Sequence, residues 1–308
     1  MSYKVLILGI GGQDGSYLAD ILLDQGCEVH GLYRRSSIDN LTRIAHIKNQ
    51  LTLHSGDILD PTSVAQILSS VSPREVYNVA DQDHVPSSLT TPGYSFDVTA
   101  KAVATTLESI RLIDKSIKFF QPCSATMFGN APPKQNEDTS HNPQSPYACA
   151  KTAAYHVARY YRQAYGMFVG TAILYNHDSP RRGKGYLLSQ ICKSVRTAVS
   201  SGTPIVVGDP NMIVDIGFAE DYMRAAVTIM RQSHPDDFVI ASGHPMTIGQ
   251  VIETAMQLFG TTLYSIETDP KLLRPGKQPE LVGDISKASE VLGFSPSTNM
   301  KDLLTQLL

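Results

Sequence analysis

The chain has 308 residues, 26 basic side chains against 29 acidic ones, and a formal charge of −3 at pH 7. That length exceeds what one compact core usually organises, so two lobes, or one large α/β unit with an extension, are expected. Hydrophobic residues make up 42% and charged residues 18%, enough to bury a real core, while the charge balance argues against nucleic-acid binding, which needs concentrated positive charge.

Met1-Ser2-Tyr3-Lys4 runs straight into the apolar stretch Val5 to Ile10, too short to span a membrane and without a signal peptide's cleavage region, so a cytoplasmic protein is expected. Over roughly the first 170 residues, short β-branched runs alternate with helical stretches, the pattern of βαβ units feeding a parallel sheet. Strands are predicted over 4–8, 28–32, 51–54, 75–78, 118–121 and 168–173. The helix over Ser16 to Gln25 carries Leu18, Ile21 and Leu22 on one face and stops at Gly26. Asp60-Pro61 supplies an N-cap and first-turn proline for a helix through Leu68. Longer helices are predicted over 94–113 and 146–165. Past Asn176 the spacing loosens, and Ser179-Pro180-Arg181-Arg182-Gly183 marks the place where the chain leaves the sheet. Short strands at 204–207 and 238–240 follow, and Thr247 with Gln250 forms a capping box for a helix to Phe259. Cys27, Cys123, Cys149 and Cys192 lie far apart with no CxxC pair, indicating neither a zinc knuckle nor a disulfide scaffold.

After the first strand comes Gly9-Ile10-Gly11-Gly12-Gln13-Asp14-Gly15. Glycines at 9, 12 and 15 permit a tight turn and let backbone approach a pyrophosphate at the helix N-terminus. A purely steric turn is the plain alternative, but the strand, turn, helix, strand order favours dinucleotide binding. Where an NAD enzyme usually places Asp or Glu for the adenosine ribose, this chain reads Arg34-Arg35-Ser36-Ser37. Two guanidiniums beside hydroxyls suit a 2′-phosphate, so NADP is favoured over NAD, with a solvated basic loop as the alternative. Asp57-Ile58 is placed to meet the adenine, a helix-capping Asp being the equal alternative, and Ala80 is assigned to the same site.

Tyr147 and Lys151 stand four residues apart in Ser145-Pro146-Tyr147-Ala148-Cys149-Ala150-Lys151 and so share a helix face. A phenol with pKa near ~10 is a poor base at neutral pH, but a neighbouring ammonium and an oxidised nicotinamide stabilise its phenolate. The strand before Cys123 delivers Ser124 to the carboxyl edge of the sheet, where it can hold a substrate hydroxyl toward Tyr147, or simply cap a loop.

Together these residues resemble the extended short-chain dehydrogenases acting on sugar nucleotides, and most closely the GDP-mannose 4,6-dehydratases. The resemblance rests on Gly-Gln-Asp-Gly-Ser-Tyr-Leu-Ala at 12–19, Arg34-Arg35-Ser36-Ser37, Tyr77-Asn78, His84-Val85, the long segment Asn176-His177-Asp178-Ser179-Pro180-Arg181-Arg182-Gly183, Arg274-Pro275, Gly283-Asp284 and Lys287-Ala288. It implies a Rossmann-type doubly wound parallel α/β sheet in residues 1–175 and a smaller α/β substrate-binding lobe in 176–308, with some exchange of segments. It also implies a Ser124, Tyr147, Lys151 triad and substrate contacts from His84, Ser88, Asn176, Arg182 and Arg274. A homodimer or homotetramer is expected, because helices over 94–113 and 146–165 commonly pair between subunits in this class. His84, His141 and His177 read as ordinary loop histidines, and no metal is expected.

The resemblance breaks at the reaction itself. A 4,6-dehydratase needs a carboxyl beside C5 and C6, and the dehydratases carry a Glu two residues after the hydroxyl matching Ser124; here that position is Thr126. Losing positioned acid–base catalysis costs ~10²- to 10⁴-fold. Ser-Ala-Thr here is closer to sugar-nucleotide 4-epimerases. The family's Arg-Lys pair falls on Ser189 and Gln190, its Arg-Asp-Trp-Gly on Val214-Asp215-Ile216-Gly217, and the acid expected after Arg274 is Lys277. The expected activity is therefore NADP-dependent hydride transfer at C4 of a nucleotide sugar, as 4-epimerase or 4-keto reductase. The alternatives are a dehydratase with its carboxylate relocated to Asp83 or Glu137, and a non-catalytic NADP-binding protein.

Overall fold

The computed structural model describes residues 2–37, 39–273 and 280–308. Its centre is a seven-stranded sheet in which every neighbouring pair is parallel. Strand β1 (Lys4–Leu8) leads through helix α1 (Gln13–Asp24) to β2 (Glu28–Tyr33) and on to β3 (Thr52–Ser55). Helix α2 (Pro61–Val71) begins at the predicted cap, the Asp60 carboxylate accepting from the backbone N–H groups of Thr62 and Ser63. Then follow β4 (Glu75–Asn78), the short α3 (Val85–Thr90) and α4 (Pro92–Phe96), α5 (Ala102–Ile113), β5 (Lys118–Ser124), α6 (Pro146–Tyr165) and β6 (Val169–Leu174).

The predicted single helix over 94–113 is interrupted: a π-turn at Asp97–Lys101 separates α4 from α5. Thr99 lies within that turn and is buried. Helix α6 has the predicted bounds because Ser145 caps it by accepting from Ala148 N–H, Pro146 opens it, and Gly166 ends it in the left-handed conformation.

Beyond β6 the chain runs through β7 (Asn176–Asp178), α7 (Leu187–Ser201), β8 (Ile205–Val207), β9 (Ile213–Val214), β10 (Ile216–Phe218) and α8 (Ala219–Arg231), and β11 (Asp237–Ile240) then returns to the sheet. The resulting order, β11-β6-β5-β4-β1-β2-β3, reverses direction at β1 and β4, the crevice where doubly wound sheets bind ligands. One face of the sheet packs on α1 and α8, with Leu18, Leu22, Ala226 and Ile229 buried. The other packs on α2, α5 and α6, with Leu68, Leu107, Ile110 and Ala158 buried. No helix is long and apolar enough to cross a membrane among the described residues.

Candidate active site

The glycines of the turn between β1 and α1 differ in how closely other atoms crowd them. Gly9 has φ +89°, and a Cβ there would come within 2.8 Å of the Ala80 backbone. A Cβ on Gly15 would reach 2.4 Å from the Gly9 carbonyl oxygen and 2.7 Å from Ile10 Cα. Gly12 differs: its Cβ would meet only the Gly9 carbonyl oxygen, at 3.3 Å. Gly12 is the N-cap residue of α1, where a pyrophosphate would meet the helix N-terminus. Gly15→Ala is expected to destabilise the fold by roughly 3 kcal/mol through backbone overpacking, whereas Gly12→Ala folds normally and weakens dinucleotide binding. Thermal unfolding and a fluorescence titration with NADPH separate the two.

The rest of this turn is tied to the segment after β6. Gln13 is buried and its amide oxygen accepts from Ser179 Oγ at 2.8 Å. Asp14 receives His177 Nε2 on both carboxylate oxygens, at 3.0 and 3.1 Å, while His177 Nδ1 reaches the Tyr175 carbonyl. Arg181 pairs with Asp20 at 2.7 Å, and Arg43 donates to the carbonyls of Arg181 and Gly11. Burial opposes the charge on both members of the Asp14–His177 pair, but each holds the other ionised: the Asp14 carboxyl is lowered to about 2 and the imidazole raised above its usual range. Asp14's contribution is present above ~4 and lost as pH falls through about 2; that of His177 is complete below ~6.5 and lost as pH rises through its raised value. The stability gap between wild type and His177→Gln in urea denaturation is therefore expected to be widest between pH ~4 and ~6.5, roughly 1–2 kcal/mol, and to narrow as pH rises through the raised His177 value.

Arg34, Arg35 and Ser36 follow β2 on the exposed surface. Arg34 Nη1 donates to Tyr94 Oη at 2.9 Å, and Asn40 Nδ2 holds the Arg34 carbonyl. Asp57 accepts from Leu59 N–H at 3.0 Å, and Ile58 is a core residue packed beneath α2.

Ser124 is the last residue of β5, and its Oγ both accepts from Thr126 N–H at 3.2 Å and lies 2.9 Å from Thr126 Oγ1. It also lies close enough to the Tyr147 phenol to lower it, so capping the turn and facing the phenol are roles of one hydroxyl. Tyr147 is buried in the first turn of α6. Its backbone N–H donates to Ser88 Oγ at 3.2 Å, and Ser88 in turn donates to Val85 O at 2.7 Å. Ser88, expected to meet substrate, is fully buried and committed to placing Tyr147. Lys151 Nζ lies 5.8 Å from the Tyr147 ring centre and donates to Pro122 O at 2.9 Å.

Sequence reasoning missed Asp81, at the carboxyl end of β4. Its Oδ2 lies 2.6 Å from Lys151 Nζ. Burial opposes the lysine's charge, yet the Asp81 carboxylate and the phenol outweigh it and hold the ammonium above the ordinary range. For Tyr147, burial comes first and raises the phenol; Lys151 pulls it down, Asp81 and Asp83 push it up, and the balance lies well above an ordinary tyrosine. The expected acidic phenol rests on an oxidised nicotinamide as well as on Lys151, and Lys151 does pull it down; Asp81 and Asp83 are two carboxyls close by. An acid just past a strand's carboxyl edge was the available signal, but its pairing with a lysine 70 residues on was not.

Asp83 is half-exposed at the mouth. It pairs with Arg182 at 3.1 Å and accepts from Tyr186 Oη at 2.8 Å, while Arg182 lies 3.7 Å over the Tyr186 ring and His84 meets that ring edge-on. Arg182 and His84 are thereby brought together near Tyr147, whereas Asn176 stands exposed on β7. Glu137 lies elsewhere: its Oε1 accepts from Val239 N–H in β11 at 2.7 Å. Asp215 is buried and accepts from Ser242 and Gly283 N–H. His141 packs against Tyr155 and His156, so the three loop histidines occupy three separate settings. Arg274 and Lys277 lie outside the described residues.

A family model described as GDP-mannose 4,6 dehydratase matches residues 6–307. The chain belongs to that family. GDP-mannose 4,6 dehydratase 2 of Arabidopsis thaliana is 39% identical to it over 98% of this chain and 85% of its own length. A GDP-mannose 4,6-dehydratase of Vibrio cholerae is 35% identical over 100% and 93%. Among solved structures, the UDP-glucose 4-epimerase of Thermotoga maritima superposes with TM-score 0.84 at 20% identity, covering 99% of this chain and 97% of its own. The dTDP-glucose 4,6-dehydratase of Bacillus anthracis, in complex with NAD, gives 0.85 at 18%, covering 99% and 96%. These likenesses show a shared fold.

Proposed function

We propose that this chain catalyses NADP-dependent hydride transfer at a carbinol carbon, C4, of a nucleotide sugar, as a 4-keto reductase or 4-epimerase. One observation carries the reading: Ser124, Tyr147 and Lys151 converge at the carboxyl edge of the sheet, with the hydroxyl of Thr126 where a dehydratase needs a carboxylate. The dinucleotide supplies the hydride when bound; the glycine turn at the N-terminus of α1 and the basic Arg34-Arg35 loop support its binding and the choice of NADP. Ser124 orients the substrate oxygen, Tyr147 exchanges its proton, and Lys151 holds positive charge beneath. Asn176, His84 and Arg182 are proposed substrate contacts, Arg182 being freed from Asp83 when a diphosphate enters.

The family's name favours a second reading, full 4,6-dehydration with a relocated carboxylate. Asp83 is the nearer of the two expected replacements, but it is tied to Arg182 and Tyr186, and Glu137 is occupied at the sheet edge. Retention of both Tyr147 and Lys151 argues against a non-catalytic binder. Incubation with GDP-, UDP- and dTDP-sugars and their 4-keto derivatives, with NADPH or NADP⁺ in deuterated water, tests all three by NMR and mass. Consumption of NADPH with a keto sugar, or inversion at C4 without mass change, supports the proposal; loss of water with deuterium at C5 replaces it with dehydration.

Subunit pairing is proposed through α5 and α6, where Leu112, Tyr160 and Tyr165 are exposed. Sedimentation is expected to give a dimer or tetramer, and Leu112→Glu with Tyr160→Glu a monomer.

A further inference from the structure

Ser124, Thr126 and Tyr147 bring three hydroxyls to one small space. Ser124 Oγ accepts from Thr126 N–H at 3.2 Å and lies 2.9 Å from Thr126 Oγ1. It is also close enough to the phenol to lower it. Among the described residues, Ser124 Oγ is the one side-chain hydrogen-bond partner of Thr126 Oγ1. The backbone that carries Thr126 is well fixed. It belongs to the 3₁₀ turn Ala125–Phe128, in which Ala125, Met127 and Phe128 are buried. Met127 O accepts from Asn142 N–H at 2.8 Å, and Gly129 N–H returns to Thr126 O at 3.2 Å.

A hydroxyl has one hydrogen to donate and two positions at which to accept. The contact between Ser124 and Thr126 can therefore run two ways. If Ser124 donates, its hydrogen is spent on Thr126 and turned away from the phenol. If Thr126 donates, Ser124 accepts twice, from the N–H and the O–H of one residue, and its own hydrogen is left to point toward the phenol and any oxygen held against it. A substrate decides between the two. A sugar carbonyl oxygen can only accept, so it is best held where two hydrogens converge, one from Tyr147 and one from Ser124. A carboxylate in place of the Thr126 hydroxyl could only accept as well, and it would draw the Ser124 hydrogen off.

We propose that Thr126 is a positioning residue whose hydroxyl donates to Ser124 Oγ and thereby turns the Ser124 hydrogen onto the reacting oxygen of the sugar. This rests on the hydride-transfer reading above and gives the side chain at 126 a role within it. As hydride passes between nicotinamide and sugar carbon, and a proton between Tyr147 and the sugar oxygen, that oxygen carries partial negative charge. A donor already aimed at it stabilises the charge without rearrangement. Reduction and oxidation cross the same transition state, so both are served alike. Accepting two hydrogen bonds also polarises the Ser124 O–H and makes it a stronger donor.

The test is a double-mutant cycle on the full chain, read as NADPH oxidation in single turnovers with UDP-, GDP- and dTDP-linked 4-keto sugars. Thr126→Val keeps the branched shape and removes the hydroxyl. It is expected to slow hydride transfer at saturating sugar roughly 10-fold or more, while KM for the sugar and Kd for NADPH stay within about twofold of wild type. Thr126→Ser is expected to restore most of the rate, and Thr126→Ala runs in parallel so that the comparison does not hinge on one variant folding. In the Ser124→Ala background, itself slower by roughly 10²-fold, Thr126→Val is expected to change nothing further, because the threonine acts only through the serine. An unchanged rate in Thr126→Val, a change confined to KM, or an equal loss with and without the Ser124 hydroxyl overturns the proposal and leaves the hydride-transfer reading standing. Absence of turnover by the wild type with every one of these sugars defeats that reading, and the proposal falls with it.

Discussion

Tyr147→Phe is expected to fold, to bind dinucleotide, and to lose turnover by ~10²- to 10⁴-fold, the usual worth of a positioned proton donor. The ring is buried, and its backbone N–H is fixed by Ser88 Oγ, so a phenylalanine occupies the same space. Only one hydroxyl disappears, with an expected loss of at most about 1 kcal/mol in stability. Stopped-flow reduction of a 4-keto nucleotide sugar by NADPH, with a parallel binding titration, checks both halves. A variant that keeps half the wild-type rate removes Tyr147 from the chemistry. Ser124→Ala is the milder counterpart, since the substrate oxygen then still meets the phenol.

The largest stability effect is expected at the opposite end of α6. Asp237 opens β11 and is 6% exposed. Its carboxylate accepts from Arg162 Nη2 at 2.6 Å, from Thr171 Oγ1 at 2.5 Å and from Tyr155 Oη at 3.0 Å. Burial raises the carboxyl and these partners lower it, with a net depression below the ordinary range. Asp237→Ala leaves Arg162, itself only 14% exposed, without its counter-charge and is expected to cost ~3–5 kcal/mol in urea unfolding. Because its folded pKa is depressed, the contribution is present above ~4 and lost as pH falls through the lowered value. The gap between wild type and variant therefore closes under acid. Asp237→Asn, which keeps the shape and several hydrogen bonds, is expected to cost less.

The first half of the chain was legible because its signals are local. Gly9, Gly12 and Gly15 sit within one turn, Asp60-Pro61 and Ser145-Pro146 mark helix starts within two residues, and Tyr147 and Lys151 share a face at one helical repeat. What escaped reading depends on contacts between distant segments. The Lys151–Asp81 pair joins α6 to the loop after β4, the Asp14–His177 pair joins α1 to β7, and Asp83, Arg182 and Tyr186 meet only once both halves are folded. Thr99 gives no local sign that its helix slips into a π-turn there. Ser88 looked like a substrate contact because a serine near a sheet edge reads the same whether its hydroxyl faces a pocket or a neighbouring N–H.

The position of β11 reaches beyond the site. It zips onto β6 from a point more than sixty residues downstream, and its first residue supplies the anion that α6 requires. During synthesis, α6 must wait with Arg162 unmatched and the flank of β6 unsatisfied until residue 237 has emerged. A fragment cut between the two would present a raw sheet margin to its neighbours, the kind of surface that recruits other chains into aggregates.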